Sequence, residues 1–467
     1  MRIINNKNNY DGRAVFGRKL GLFCFCMLAN AFVSVASYAQ DKPQQQVSNS
    51  GKETMSSVGL GQVDKRIIQP APPGNPTQAT LNTKATTRFW GNDPYSVAVS
   101  LTQHMWPAAF PADDPPNAVT DRPWGVVLVG TEDKLQAISA IPLIHFPMNA
   151  PILYADPDGI PQITMDEIKR LGPVGIARTT NVKGVDKPLE IILVGDVATD
   201  AVRKQLDSAG LNHTSITGED LYELTNNIDR FYGQVQNGDL GVPVMGNGAA
   251  NVFVANVNAW EFMLPITHWA SHMPSAELWV DDNGIPEGTR KALERRNGDA
   301  RIYVMGGADQ ISTETVKELS QYGKVIRITA NNVITHNAPI ENTPMNVSLQ
   351  FSEMWDGSGQ VGWNILSSGH GFTIGNIDDW TGIVASAPLS HMGFHAPLIL
   401  TDSADKMPDA VTNYLKKTSA KFTNTPAEGP YNMIYIIGNF DRISWKQQNT
   451  AEALTNISPI REWDQQF

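Results

Sequence analysis

From about residue 124 the chain alternates short, wholly apolar runs with longer stretches of mixed polarity, and it does so three times in one order. Each copy opens with an apolar run (125–130, 251–255, 371–375), followed by an acidic or Asn-rich turn and an amphipathic stretch with an internal proline, Pro142, Pro265 or Pro388. A second apolar run (150–154, 276–280, 396–400) ends in a polar turn that carries two aspartates and leads to a proline. The pairs are Asp156 and Asp158, Asp281 and Asp282, and Asp402 and Asp405. A third run ends in Gly195, Gly306 or Gly438, and a helical pattern follows over 199–206, 312–319 and 445–454. Runs that are apolar throughout, rather than alternating, read as strands covered on both faces, and their alternation with helical stretches predicts an α/β fold built on parallel sheets. A unit recurring roughly every 120 residues is an internal repeat, so we expect three tandem βα modules over 124–232, 250–350 and 369–457.

The segments before the repeat read differently. Arg13, Arg18 and Lys19 precede an apolar run over 20–36 that ends in Ser37-Tyr38-Ala39, the layout of a secretory signal peptide over 1–39. Residues 40–87 are rich in Gln, Ser, Thr, Asn, Pro and Gly and are expected to form a flexible linker, with an N-terminal arm over 88–123. The motif at 88–95 (RFWGNDPY) resembles 216–222 (ITGEDLY) and, more weakly, 327–332 (RITANN). These copies lie before unit one, after unit one and after unit two. Three copies match three units only if the first serves the third unit, which predicts a closed, roughly threefold ring with 88–105 packed near the C-terminal module.

The residues Gly130 with its acidic turn, Ala140-Ile-Pro142, the Pro-Ile-Leu elements at 151–153 and 397–400, Gly306-Gly307 and the Arg-x-x-Gly-x-Asp-x-Tyr element at 88–95 resemble the type-2 cell-wall-binding repeat of surface proteins. The resemblance spans about 88–457. It implies three modules packed as a pseudo-threefold trimer, and non-covalent anchoring to an anionic wall polymer. This chain departs from the pattern where Pro94 and Leu221 stand before the tyrosines, where the middle unit reads Ala276-Glu-Leu, and where Ala255 takes the place given to Gly130.

Charge and composition narrow the chemistry. The full chain carries 36 basic and 47 acidic side chains, and loss of 1–39 leaves 31 and 46, a net charge of −15. Such a surface disfavours nucleic acid as a partner. Both cysteines, Cys24 and Cys26, fall in the expected leader, so the remaining chain has no thiol nucleophile and no Cys-ligated metal. No post-strand glycine extends to a dinucleotide or P-loop pattern, no GxSxG is present, and Ser367-Ser-Gly-His370 suggests a hydrolase only by composition. The aspartate turns lie where strands end, the edge at which open α/β sheets meet ligands. Loop tryptophans (Trp90, Trp355, Trp363 and above all Trp380) offer faces for stacking on sugars. Histidine forms two HxxxH pairs, His268/His272 and His391/His395, with His145 the counterpart of His391. Imidazoles at i and i+4 of one helix can hold Zn²⁺ or Cu²⁺, and Met273 and Met392 lie nearby. No glutamate of an HExxH motif lies between them. We therefore expect an exported, non-catalytic envelope protein that binds a wall or surface polysaccharide. The alternatives are a periplasmic Cu/Zn-binding protein and a structural surface-layer component.

Overall fold

The computed structural model describes residues 80–106, 122–237, 251–333 and 340–459. The leader expected over 1–39, the linker up to residue 79 and residues 107–121 of the arm lie outside them. The end of the expected linker is folded: β1 (Thr80–Asn82) and β2 (Thr86–Phe89) are antiparallel strands.

Three sheets follow the three repeats. The first holds β3 (Val126–Val129), β4 (Ile152–Tyr154), β5 (Ile191–Val194) and β6 (His213–Ile216) in the order β4-β3-β5-β6. The second holds β7 (Asn251–Asn256), β8 (Ala276–Val280), β9 (Ala300–Met305) and β10 (Gly323–Ile328) in the order β8-β7-β9-β10. Every pairing in these two sheets is parallel. The third uses β11 (Gly371–Asn376), β12 (Leu398–Thr401) and, beyond the short β13 (Lys421–Phe422), β14 (Met433–Ile437). β13 pairs with β15 (Ser458–Pro459) in a separate two-stranded sheet.

The third module draws its fourth strand from the other end of the chain. β2 pairs in parallel with β14, Ile434 opposite Thr86 and Ile437 opposite Phe89, in the place that β6 and β10 hold in their own modules. The ring is closed by hydrogen bonds between residues some 350 positions apart, including Arg88 Nη1 to the Gly438 carbonyl at 2.7 Å, Nη2 to the Ile443 carbonyl at 2.6 Å and Nε to Gln448 Oε1 at 2.8 Å. Arg88 is fully buried, its guanidinium lying 4.4 Å from the centre of the Phe440 ring. Burial pulls its pKa down to about 9, so it is still a cation at neutral pH. Arg327 repeats the arrangement in module two, bonding the Gly306, Gly307 and Ile311 carbonyls. β6 has no arginine; there Arg203, on the preceding helix Asp200–Ser208, bonds the Ala198 carbonyl and Ser215 Oγ.

A helix after each fourth strand crosses to the next module. Pro94–Met105 packs on module one, Leu221–Asn237 on module two and Pro344–Glu353 on module three. Each starts at a side-chain cap that accepts a backbone N–H three residues on: Asp93 from Ser96, Asp220 from Glu223, Thr343 from Asn346. These seam helices run across the expected module limits. Leu221–Asn237, assigned within 124–232, buries itself against the second module as well. In the third copy of the small signature Arg327 holds in β10 the register position that Arg88 holds in β2, as the likeness of 327–332 to 88–95 implies, but the cap and helix start lie farther on, at 342–346 (NTPMN).

Packing explains why no disulfide is needed. One continuous apolar cluster runs from Phe89 to Ala451 through all three modules, and a smaller one covers the outer face of the second sheet. The three proline helices meet at the centre: the helix Leu264–His272 packs against Pro388–Met392 and against the turn Ile141–Ile144. The edge strands β6 and β10 are half-buried and partly polar, whereas β2, flanked by β1, is buried along its length. Among the described residues no helix is long and apolar enough to cross a membrane.

Candidate functional site: the seams between modules

The first two aspartate turns are tight and alike. The Asp156 and Gly159 backbones exchange hydrogen bonds at 3.0 and 3.1 Å, and Asp281 and Gly284 do the same at 3.3 and 3.2 Å. Each turn receives a tyrosine from a seam helix: the Tyr95 hydroxyl donates to Asp156 Oδ1, and the Tyr222 hydroxyl to Asp281 Oδ2 at 3.2 Å. Burial first, then the facing carboxylate, pushes both phenols up to about 12. They are therefore fixed donors that mark the seam where one module's helix meets the next module's sheet. At the third seam Met345 stands where the tyrosines stand, and Asp402 is exposed.

The remaining turn carboxylates differ in their surroundings. Asp158, Asp282 and Asp405 are all exposed, and Asp282 accepts from Asn256 Nδ2 and Asn258 Nδ2, both at 2.9 Å. Module one adds Glu132, Asp133 and Asp196 at the same sheet edge. Burial and the neighbouring Asp133 hold the Asp196 carboxyl above its usual range. The register also corrects the reading of the first post-strand glycine. Val129, Ala255 and Gly375 oppose Tyr154, Trp279 and Leu400, so Gly130 corresponds to Asn256 and Asn376, not to Ala255. Gly130 leaves out a side chain because Asp196 occupies that space, 2.5 Å from where its Cβ would be.

The tryptophans divide by burial. Trp90 is buried, Trp363 and Trp380 are half-buried against the main core, and Trp355 is 51% exposed. Of the four, Trp355 presents the most exposed ring. Aromatic enrichment alone did not separate them.

The histidines are arranged across modules, not along helices. His268 is fully buried, with Nδ1 2.7 Å from Ser390 Oγ and Nε2 3.2 Å from Ser386 Oγ, so both ring nitrogens are engaged. The helix Pro388–Met392 stops before His395, which takes a left-handed φ of 53°. His391 and His395 therefore do not share a helical face, and neither HxxxH pair is an i, i+4 ligand pair. The rings that meet come from different modules: His145 with His391, centres 4.6 Å apart, and His272 with His395, centres 4.9 Å apart. Met273 and Met392 pack against the main core. Among the described residues no three His, Cys, Asp or Glu side chains form a preassembled metal cage. Burial pulls the pKa of His145 to about 4, of His272 to about 3 and of His391 to about 2, with neighbouring imidazoles contributing to all three.

No family model and no curated protein matches the sequence. Among solved structures the chain is similar to Cwp6 from Clostridium difficile, with a TM-score of 0.58 at 20% identity over 81% of this chain and 49% of that one. It is also similar to Cwp8 from Clostridium difficile, with a TM-score of 0.56 at 15% identity over 80% of this chain and 52% of that one. The chain thus matches about half the length of each. At these identities the likeness is one of fold.

Proposed function

We propose that this protein is an exported, non-catalytic component of the cell envelope that holds a wall or surface polysaccharide in the seams between its modules. The observation that carries the reading is the repeated seam: a capped helix from one module sets a tyrosine on the aspartate turn of the next, at the carboxyl edge of a parallel sheet. Shallow sites repeated around one body suit a polymer, because weak contacts made together gain avidity. The two solved neighbours are cell wall proteins, which favours an envelope location. The leader-like segment at 1–39 agrees with export. The acidic edge favours hydroxyl-rich or cationic groups over phosphates, since carboxylates accept hydrogen bonds from sugar hydroxyls and repel anions.

The test is co-sedimentation of purified protein with isolated peptidoglycan, wall polymer and outer-membrane glycan. Binding to one of these, weakened by Asp156→Asn together with Asp281→Asn in a folded variant, is the expected result. Failure to bind any of the three removes the proposal.

A further inference from the structure

We propose that the histidines at the centre of the ring, His272 and His395 with His145 and His391 beside them, bind one late first-row transition ion, Zn²⁺ or Cu²⁺, across the modules. His272 Nδ1 and His395 Nδ1 face each other at 3.2 Å. Two nitrogens that share a tetrahedral ion at ~2.0–2.1 Å lie roughly 3.3 Å apart, so the pair already has the spacing of adjacent ligands.

The hydrogen bonds around the rings point the same way. A metal-ligating histidine commits one ring N–H to an oxygen and turns the other nitrogen's lone pair to the ion. His391 Nε2 lies 2.7 Å from Asn149 Oδ1, and His145 Nδ1 lies 3.2 Å from the Phe146 carbonyl. Each of these oxygens is an acceptor for one ring proton and leaves one lone pair on that ring. His395 is exposed and gives solvent access. His268, with both nitrogens engaged by serines, is not a ligand. The pair His272/His395 supplies the first two bonds; water or a reoriented His145 or His391 completes the shell.

The test uses the untagged chain, titrated calorimetrically with ZnCl₂ and separately with CuCl₂. Trp363 stacks on His272 with ring centres 5.5 Å apart, so bound Cu²⁺ is expected to quench its fluorescence. The variant is His395→Asn, because asparagine tolerates the left-handed backbone found there. His213→Asn, remote and paired with Asp207, is the control. One ion per chain at micromolar concentration, weakened at least tenfold by His395→Asn and unchanged by His213→Asn, supports the site. No binding up to 100-fold excess metal, or equal binding by His395→Asn, overturns it. The proposal is independent of glycan binding, and neither outcome bears on the polysaccharide assay.

Discussion

Glu277 sits in β8, four positions before the first aspartate of its turn, where the other modules have Ile152 and Leu398. It is 3% exposed, neither carboxyl oxygen has a hydrogen-bond partner, and it lines a small cavity with Ser139, Thr225, Tyr232, Ser275 and Arg296. The nearby charges are spent on one another: Asp229 is bonded by Arg295 and Arg296. Burial alone raises the Glu277 pKa well above its ordinary 4.5. Replacing it by leucine removes an unpaired buried polar group, which costs about 1–3 kcal/mol, and restores the residue type of the sister modules. The sign of the pH effect follows from the raised folded value. Below the unfolded pKa the acid is neutral in both states. Above it the unfolded chain ionises first, and wild-type stability falls by up to ~1.4 kcal/mol per pH unit until the folded group titrates. Glu277→Leu is therefore expected to be more stable than wild type at pH 4.5, and by a wider margin at pH 7.5. Urea denaturation followed by tryptophan fluorescence at both pH values measures it, with Glu277→Gln separating ionisation from shape. A destabilised leucine variant, or a gap that does not change with pH, refutes the reasoning.

Three further outcomes are expected. Arg88→Met strands buried carbonyls in the closing seam and should cost about 3–5 kcal/mol in urea denaturation, against about 1–2 kcal/mol for the half-buried Arg327→Met; equal losses would contradict the role given to burial. Gly130→Asn should destabilise by overlap with Asp196, and adding Asp196→Gly, the pairing of Asn256 with Gly307, should recover about 1–2 kcal/mol in a double-mutant cycle. A chain shortened to begin at residue 91 lacks β1 and β2 and bares the edge of β14, so size-exclusion chromatography should show self-association; a well-behaved monomer would argue against closure by β2.

Much of this architecture can be read without coordinates because it rests on local pattern. Runs such as 126–129 and 191–194 are apolar at every position, and only strands covered on both faces need that. The fourth strands were harder: His213–Ile216 and Gly323–Ile328 lie at sheet edges, mix polar with apolar residues and carry no distinct period. The link between 88–105 and the last module could be inferred by counting signatures, but in the third copy the strand half at 327–332 is separated from the cap half at 342–346 (NTPMN), which has lost its aspartate and tyrosine, so similarity found only the first. Within the site, the aspartate turns are visible as residues, whereas the tyrosines that reach them come from a different module. The histidines show the limit most clearly. Spacing along the chain suggests pairs on one helix, yet that helix ends at Met392, with Gly393 already non-helical, and the partners are chosen by module packing.

A strand at residues 86–89 that finds its neighbour only at 433–437 also sets an order of events during synthesis. The ribosome must reach residue 437 before that early segment has anything to pair with. Modules one and two can mature while translation proceeds, but the sheet of the last one stays incomplete until β2 and β14 meet. Loop-closure entropy over such a distance makes this late step slow, and any factor that keeps 86–89 from pairing elsewhere would raise the yield of native protein.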